Sequence, residues 1–305
     1  MENQERIPNP QSEEINIEPP PRSIAGVLLY HSLLALTTRV ANISYSGQEN
    51  IPASPYIVAP NHQTYADAIW VLSGLPRKDF QQTCCLVGKD MQTDHGAFGR
   101  MACQVARPIY VDRKGNPVRS LMEARHALRA GCNILLHPEG TRTHNGLIGP
   151  LHNGASFLAM REKVPLLPVY IGGGFDFFSR HDKKPLKRNP VTGEKTDLNI
   201  HFGKPLLPSS FSPRDYDGMT EALKEWYEEQ EAQFFLEYPY ARAALTYHNE
   251  MRKKERAEEE KALNQAANLG SLNQSLNQAE EPKLLKEGKA LEKPESQDEA
   301  EEEDA

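Results

Sequence analysis

No run of this 305-residue chain is both long and apolar enough to read as a membrane-crossing helix. The most apolar segment, SIAGVLLYHSLLALTT at 23–38, lies between Arg22 and Arg39. As a helix it would span about 24 Å, short of the roughly 30 Å hydrocarbon core of a bilayer. Cysteine is scarce: Cys84, Cys85, Cys103 and Cys132 show no C-x-x-C spacing and sit in or near apolar runs, which argues against a disulfide framework or a zinc site and for small core residues in a reducing compartment. An excess of basic charge is missing too. The formal charge is −7, and residues 251–305 hold nine Lys and Arg against fifteen Asp and Glu, leaving the body near neutral. Without a basic footprint, nucleic acid is not an expected partner. The chain also lacks G-x-S-x-G, a Walker loop, H-E-x-x-H and a complete G-x-G-x-x-G, so nothing in it asks for a protein nucleophile, a metal or a cofactor.

What is there divides into four parts. Residues 1–22 are polar and proline-rich, and read as an arm rather than a signal peptide. Residues 23–44 read as an apolar or amphipathic helix that lies in a membrane interface, 45–250 as the catalytic domain, and 251–305, without aromatics and with LNQ repeated at 263, 272 and 276, as a disordered or loosely helical charged tail. Between 55 and about 210, short apolar runs alternate with helical patterns, the mark of an α/β domain with a mixed, largely parallel sheet flanked by helices. The expected strands are YIVA, CCLVG, PIYVD, CNILLH, LLPVYI and LNIHF. Asn116 and Pro117 open a helix that Gly131 closes, and its inward stripe of Val118, Leu121, Ala124 and Leu128 is interrupted only by Arg125. A second helix spans about 217–236.

Chemistry concentrates at strand ends. In NHQTYADAIW, positions 61–70, His62 and Asp67 stand five apart, a spacing that suits a turn leading into a helix. An imidazole there accepts a proton through one ring nitrogen while the carboxylate holds the other ring N–H. HPEGTRT, 137–143, follows the run CNILL and so falls at a carboxyl strand end, where open α/β sheets place ligands. Its Glu139, Gly140, Thr141 and Arg142 offer an acceptor, a close backbone approach, a hydroxyl and a guanidinium suited to phosphate. ARPIYVDRKG, 106–115, delivers Asp112 and Arg113 to another strand end. The prolines of VPLLPVYIGGG, 164–174, suit an edge or irregular strand that lines an apolar groove.

His62 and Asp67 match the H-x-x-x-x-D signature of the glycerolipid acyltransferase family, the 1-acylglycerol-3-phosphate acyltransferases and their relatives. HPEGTRT resembles the family's third block, normally Phe-Pro-Glu-Gly-Thr-Arg-Ser; RPIYVDR resembles the second and VPLLPV the fourth, and GKDM at 88–91 maps a family lysine onto Lys89. The blocks come in family order over about residues 45 to 210. Departures are His137 for phenylalanine, Thr143 for serine, and Arg107 for the glycine that opens the second block, which puts bulk and charge near the acceptor site and bears on the identity of the acceptor, not on the reaction type. The resemblance implies that His62, held by Asp67, deprotonates a lysophospholipid hydroxyl, which attacks an acyl thioester. Arg113, Arg142 and Lys89 would clamp the phosphate, with Glu139 and Thr141 ordering the loop or contacting glycerol. Acyl-CoA or acyl carrier protein is the implied donor and co-substrate, with no other cofactor and no metal. Lysophosphatidic acid is the expected acceptor and phosphatidic acid the product. Alternatives are another lysophospholipid, a lyso-aminolipid or glycerol 3-phosphate as acceptor, a thioesterase, and a non-catalytic lipid-binding module. Membrane lipids are then partners, and the expected location is the cytoplasmic face of a membrane, peripheral or monotopic. The aromatics of GGFDFFSRHDKKPLKR, 173–188, beside Lys183, Lys184, Lys187 and Arg188, offer a second contact for anionic headgroups.

Overall fold

The computed structural model describes residues 21–93, 96–111, 117–182, 184–254, 256–261 and 263–264. The arm up to residue 20, Asp112, Arg113, Asn116, Lys183 and the tail from 265 lie outside the described residues. Two units are distinguished, divided between His248 and Asn249. In the first, the elements run α1 (Ile24–Val40), β1 (Ala41–Ser46), β2 (Ile57–Pro60), α2 (Asp67–Gly74), α3 (Arg77–Gln82), β3 (Thr83–Gly88), α4 (Asp90–Thr93), α5 (Gly96–Ala106), β4 (Pro108–Val111), α6 (Pro117–Arg129), β5 (Asn133–Leu135), α7 (Gly154–Glu162), β6 (Leu166–Gly172), α8 (Gly174–Phe178), β7 (Thr196–Phe202) and α9 (Tyr216–Glu237). In the second, the described residues 249–254 and 256–261 are helical.

Seven strands make one sheet in the order β1-β7-β6-β2-β5-β3-β4. Every neighbouring pair is parallel except β6 with β7. The mixed, largely parallel sheet is as expected, and the six expected strands are all present. β1 is additional. ANISYS pairs with β7 from Ala41↔Thr196 to Ser46↔His201, so the helix expected over 23–44 ends at Val40 and its last residues enter the sheet. Their burial alternates as a strand's should, but six residues with only Ile43 and Tyr45 as large apolar groups make a faint pattern.

β6 corrects a second expectation, because it lies inside the sheet rather than at an edge. The one proline inside it, Pro168, is tolerated for a local reason. Residues 165 and 169 turn their carbonyls to β2, accepting from Ile57 and Asn61. Pro168 therefore turns its missing N–H to the other side, where β7 pairing begins only at Val169↔Phe202 and Gly203 donates to the Pro168 carbonyl.

Period two along β2 sends Tyr56 and Val58 to one face and Ile57 and Ala59 to the other. The first face is covered by Tyr30 of α1, Trp70, Val71 and Leu72 of α2, and Phe80 of α3. The second is covered by Ala124 and Leu128 of α6, Leu158 of α7, and Met219, Leu223 and Tyr227 of α9. Each large side chain so buried contributes about 1.5–3 kcal/mol. Arg125, the exception in the α6 stripe, bonds Glu162 of α7 at 2.5 Å, and Arg129 takes the other carboxylate oxygen at 2.8 Å. All four cysteines are buried thiols outside any disulfide.

α1 is half core and half surface. Ser23 caps it by accepting from the Gly26 N–H, and a Cβ at Gly26 would stand 2.4 Å from the Gln104 carbonyl, so α1 and α5 cross there at backbone distance. Arg22 is a buried tie rather than a flanking charge: its guanidinium donates to the carbonyls of Val105, Phe80 and Thr83 and lies over the Phe80 ring. Tyr30 is buried, whereas Ile24, Leu28 and Leu36 are 81%, 63% and 60% exposed. No helix among the described residues is long and apolar enough to cross a membrane.

Candidate active site

The carboxyl ends of β2 and β5 are adjacent in the sheet, and the loops that leave them meet. After β2, Asn61 is clamped to β6, its side chain donating to the Ile171 carbonyl and accepting from the Ile171 N–H. His62 comes next with both backbone groups held: its N–H donates to Glu139 Oε1 at 2.7 Å, and its carbonyl accepts from the Thr143 N–H at 2.8 Å. The chain then turns and α2 begins at Asp67 itself. That turn explains the spacing of five. Asp67 Oδ2 accepts from His62 Nδ1 at 2.8 Å and from the N–H groups of Gln63 at 2.7 Å and Thr64 at 3.0 Å, so residues 63 and 64 wrap around the carboxylate.

Electrostatics follow from burial. Asp67 is 1% exposed, and burial pushes it up to about 6 against the opposing N–H bonds from Thr64 and Gln63. Glu139 is buried as well and is pushed up to about 7, although the His62 and Gly149 N–H bonds pull it down. The His62 side chain keeps 15% exposure, so the ring remains reachable. With Nδ1 donating to Asp67, Nε2 is the nitrogen that takes a proton.

His137 stacks on His62 with ring centroids 3.7 Å apart and planes 13° apart. Its Nδ1 lies 3.2 Å from the Pro60 carbonyl and 3.1 Å from that of Asn61, both acceptors, so the proton sits there. Burial and the neighbouring His62 push His137 down to about 3, which keeps the stacked ring neutral. His62, Asp67 and His137 place one donor atom each within 4.8 Å. Parallel rings direct their in-plane lone pairs side by side rather than toward one point, so the pair fits stacking better than chelation.

The structure brings together His62, Asp67, Glu139, Gly140, Thr141 and Arg142. Gly140 has a φ of 67° and closes the turn through its N–H to the His137 carbonyl. Thr141 is exposed. Arg142 lies 3.4 Å over the ring of Tyr65, inside the His62–Asp67 turn. Lys89 follows β3 on the same edge of the sheet, exposed, with its N–H on the Val111 carbonyl. Arg113 lies outside the described residues.

Arg107 is not near this edge. It stands at the amino end of β4, 6% exposed, donating to the Gln81 carbonyl and 3.6 Å from Cys132 Sγ. Its φ of 50° explains why glycine suits that position. The aromatics at 175–178 are corrected too: Phe175 and Phe177 are buried and Phe178 is partly so, because α8 turns them into the core instead of toward headgroups. Sequence reasoning passed over Asn61 and Gln63, which are 1% and 4% exposed. Gln63 Oε1 accepts from the Phe175 N–H. The available signal was an uninterrupted polar run, NHQT, directly after a buried strand.

Residues 42–172 match the family described as Acyltransferase. The chain is 32% identical over 136 residues to 1-acyl-sn-glycerol-3-phosphate acyltransferase alpha of Mus musculus, covering 44% of this chain and 46% of that protein. It is 25% identical over 183 residues to a probable 1-acyl-sn-glycerol-3-phosphate acyltransferase of Mycoplasma pneumoniae, covering 59% and 66%. The chain spans about half the length of the mammalian relatives it matches. Its fold is similar to the crystal structure of the 1-acyl-sn-glycerophosphate (LPA) acyltransferase PlsC from Thermotoga maritima, with a TM-score of 0.52, 21% identity, and coverage of 68% of this chain and 80% of that one.

Proposed function

We propose that this chain, whose residues 42–172 belong to the acyltransferase family, transfers a fatty acyl group from an acyl thioester to the free hydroxyl of a 1-acylglycerol 3-phosphate, giving phosphatidic acid. The observation that carries this reading is the 2.8 Å bond between His62 Nδ1 and Asp67 Oδ2, set against the loop of Glu139 and Arg142. The printed names of the relatives support the choice of acceptor.

In this reading His62 Nε2 takes the acceptor's hydroxyl proton as its oxygen attacks the thioester carbonyl. Asp67 holds the imidazole in the tautomer that makes Nε2 the acceptor and stabilises the imidazolium that forms. The tetrahedral intermediate collapses with loss of thiolate, which recovers the proton from Nε2. The thioester belongs to acyl-CoA or to acyl carrier protein. Glu139 orders the loop rather than touching glycerol, since both of its oxygens are committed to backbone N–H groups. Arg142 and Lys89 supply positive charge for the acceptor phosphate.

Release of free thiol from acyl-CoA, measured with and without acceptor, tests the reaction class. Transfer requires acceptor-dependent release; release without acceptor would mean a thioesterase, and none at all a binding module. In the same assay Arg142→Ala raises the KM for the phosphate-bearing acceptor by about tenfold or more, the scale of one charge-assisted contact. A fall in kcat with that KM unmoved would place the arginine elsewhere.

The acceptor's acyl chain partitions into lipid, so the protein works at a membrane surface, on its cytoplasmic face. Ile24, Leu28 and Leu36, exposed on α1, provide an apolar contact of the peripheral kind. Replacing the three with Gln should abolish most flotation with phospholipid vesicles while leaving the melting transition in place. Unchanged flotation would move the contact to another surface.

A further inference from the structure

A base acts in the plane of its ring. The lone pair of His62 Nε2 lies in the imidazole plane, so the tilt of that plane decides whether the nitrogen points at a substrate hydroxyl or past it. Asp67 holds the ring at one edge atom, Nδ1 to Oδ2 at 2.8 Å, and a bond at one atom leaves the plane able to rock about it. The side chain also keeps 15% exposure. What lies against its face is His137. With ring centroids 3.7 Å apart and planes 13° apart, the two imidazoles are in van der Waals contact, and a tilt toward His137 is blocked.

His137 can act as a wall because it is itself tied down. Its Nδ1 lies 3.2 Å from the Pro60 carbonyl and 3.1 Å from that of Asn61, the two residues just before the base. The ring thus comes from the end of β5 and is fastened to the end of β2, beside the side chain it faces. Glu139 and Thr143 of the same loop hold the backbone of His62. Charge agrees with this role. His137 stays neutral, so when His62 takes a proton the imidazolium meets an uncharged π face instead of a like charge at contact distance.

We propose that His137 is a positioning residue for acyl transfer: its ring, laid flat on His62, holds the plane of the base so that Nε2 stays aimed at the acceptor hydroxyl. This rests on the acyl-transfer reading.

Two variants separate the ring from its hydrogen bonds. His137→Phe keeps a flat face and loses the donor; His137→Gln keeps an amide donor for the two carbonyls and loses the face. The proposal expects Gln to lower kcat on the order of 10- to 100-fold, the cost of a misaimed reacting group, while Phe stays within about threefold of wild type. The KM values for acyl-CoA and for 1-acylglycerol 3-phosphate do not move. A Gln variant as fast as wild type, a Phe variant slower than Gln, or a loss confined to KM overturns the proposal. Proton NMR in mildly alkaline buffer reads the stack without turnover. The Hε1 signal of His62, identified by its disappearance in His62→Ala, lies upfield in wild type and in Phe through the ring current of its neighbour, and returns to the free-imidazole position in Gln. An unshifted Hε1 in wild type overturns the proposal even where a variant proves too unstable to assay. Should wild type transfer no acyl group while its Hε1 lies upfield, the acyl-transfer reading fails and His137 still holds the ring.

Discussion

His62→Ala lowers acyl transfer by on the order of 10²–10⁴-fold, the range attributed to a positioned general base. The loss falls in kcat, because the imidazole contributes where the hydroxyl proton moves and leaves phosphate binding to the arginines. The fold should persist. The backbone of residue 62 keeps its bonds to Glu139 and Thr143 whatever its side chain, and His137 keeps its bonds to the carbonyls of Pro60 and Asn61. Steady-state transfer by the variant, with circular dichroism and a melting curve as controls, decides the matter. A variant that stays folded and keeps activity within a factor of about three removes His62 from the chemistry.

Asp67→Asn is expected to cost nearly as much, on the order of 10²–10⁴-fold in kcat, although it changes one atom. Asp67 is surrounded by donors: His62 Nδ1–H and the N–H groups of Gln63 and Thr64. An amide has one acceptor oxygen and turns its NH₂ toward a donor on the other side. If the amide nitrogen faces the ring, His62 adopts the opposite tautomer and presents an N–H, not a lone pair, to the substrate. The same logic gives a pH dependence. Protonating Asp67, which burial pushes up to about 6, removes a negative acceptor, so the rate falls as pH drops below that value. Asp67→Asn activity within threefold of wild type would show that the carboxylate does not orient the base. A loss seen only as a raised KM would assign Asp67 to substrate binding instead.

The phosphate contact of Arg142 and the membrane contact depend on different elements, the 137–144 loop and α1. Defects in one should combine almost independently with defects in the other. Arg22, by contrast, ties α1 to α3, β3 and α5 from a buried position, so deleting the start of α1 would disturb the catalytic domain and cannot serve as a clean probe of membrane attachment.

The sequence by itself determined the alternation of strands and helices, the pair His62 and Asp67, and the loop of Glu139 to Arg142. These are local facts: apolar periodicity, a helix start and a turn at a strand end are all written in consecutive residues. It also marked α6 from Pro117 to the glycine beyond it, but not why Arg125 interrupts the stripe, since Glu162 is 37 positions away. Only the tertiary structure decided that β6 is interior, that Arg107 stands at the opposite end of the sheet from the base, that Phe175 and Phe177 face the core, and that His137 lies flat against His62. The reason is common to all four. Burial, stacking and charge compensation are set by residues far apart in the chain, whose meeting is fixed by strand order, and strand order has no local signature.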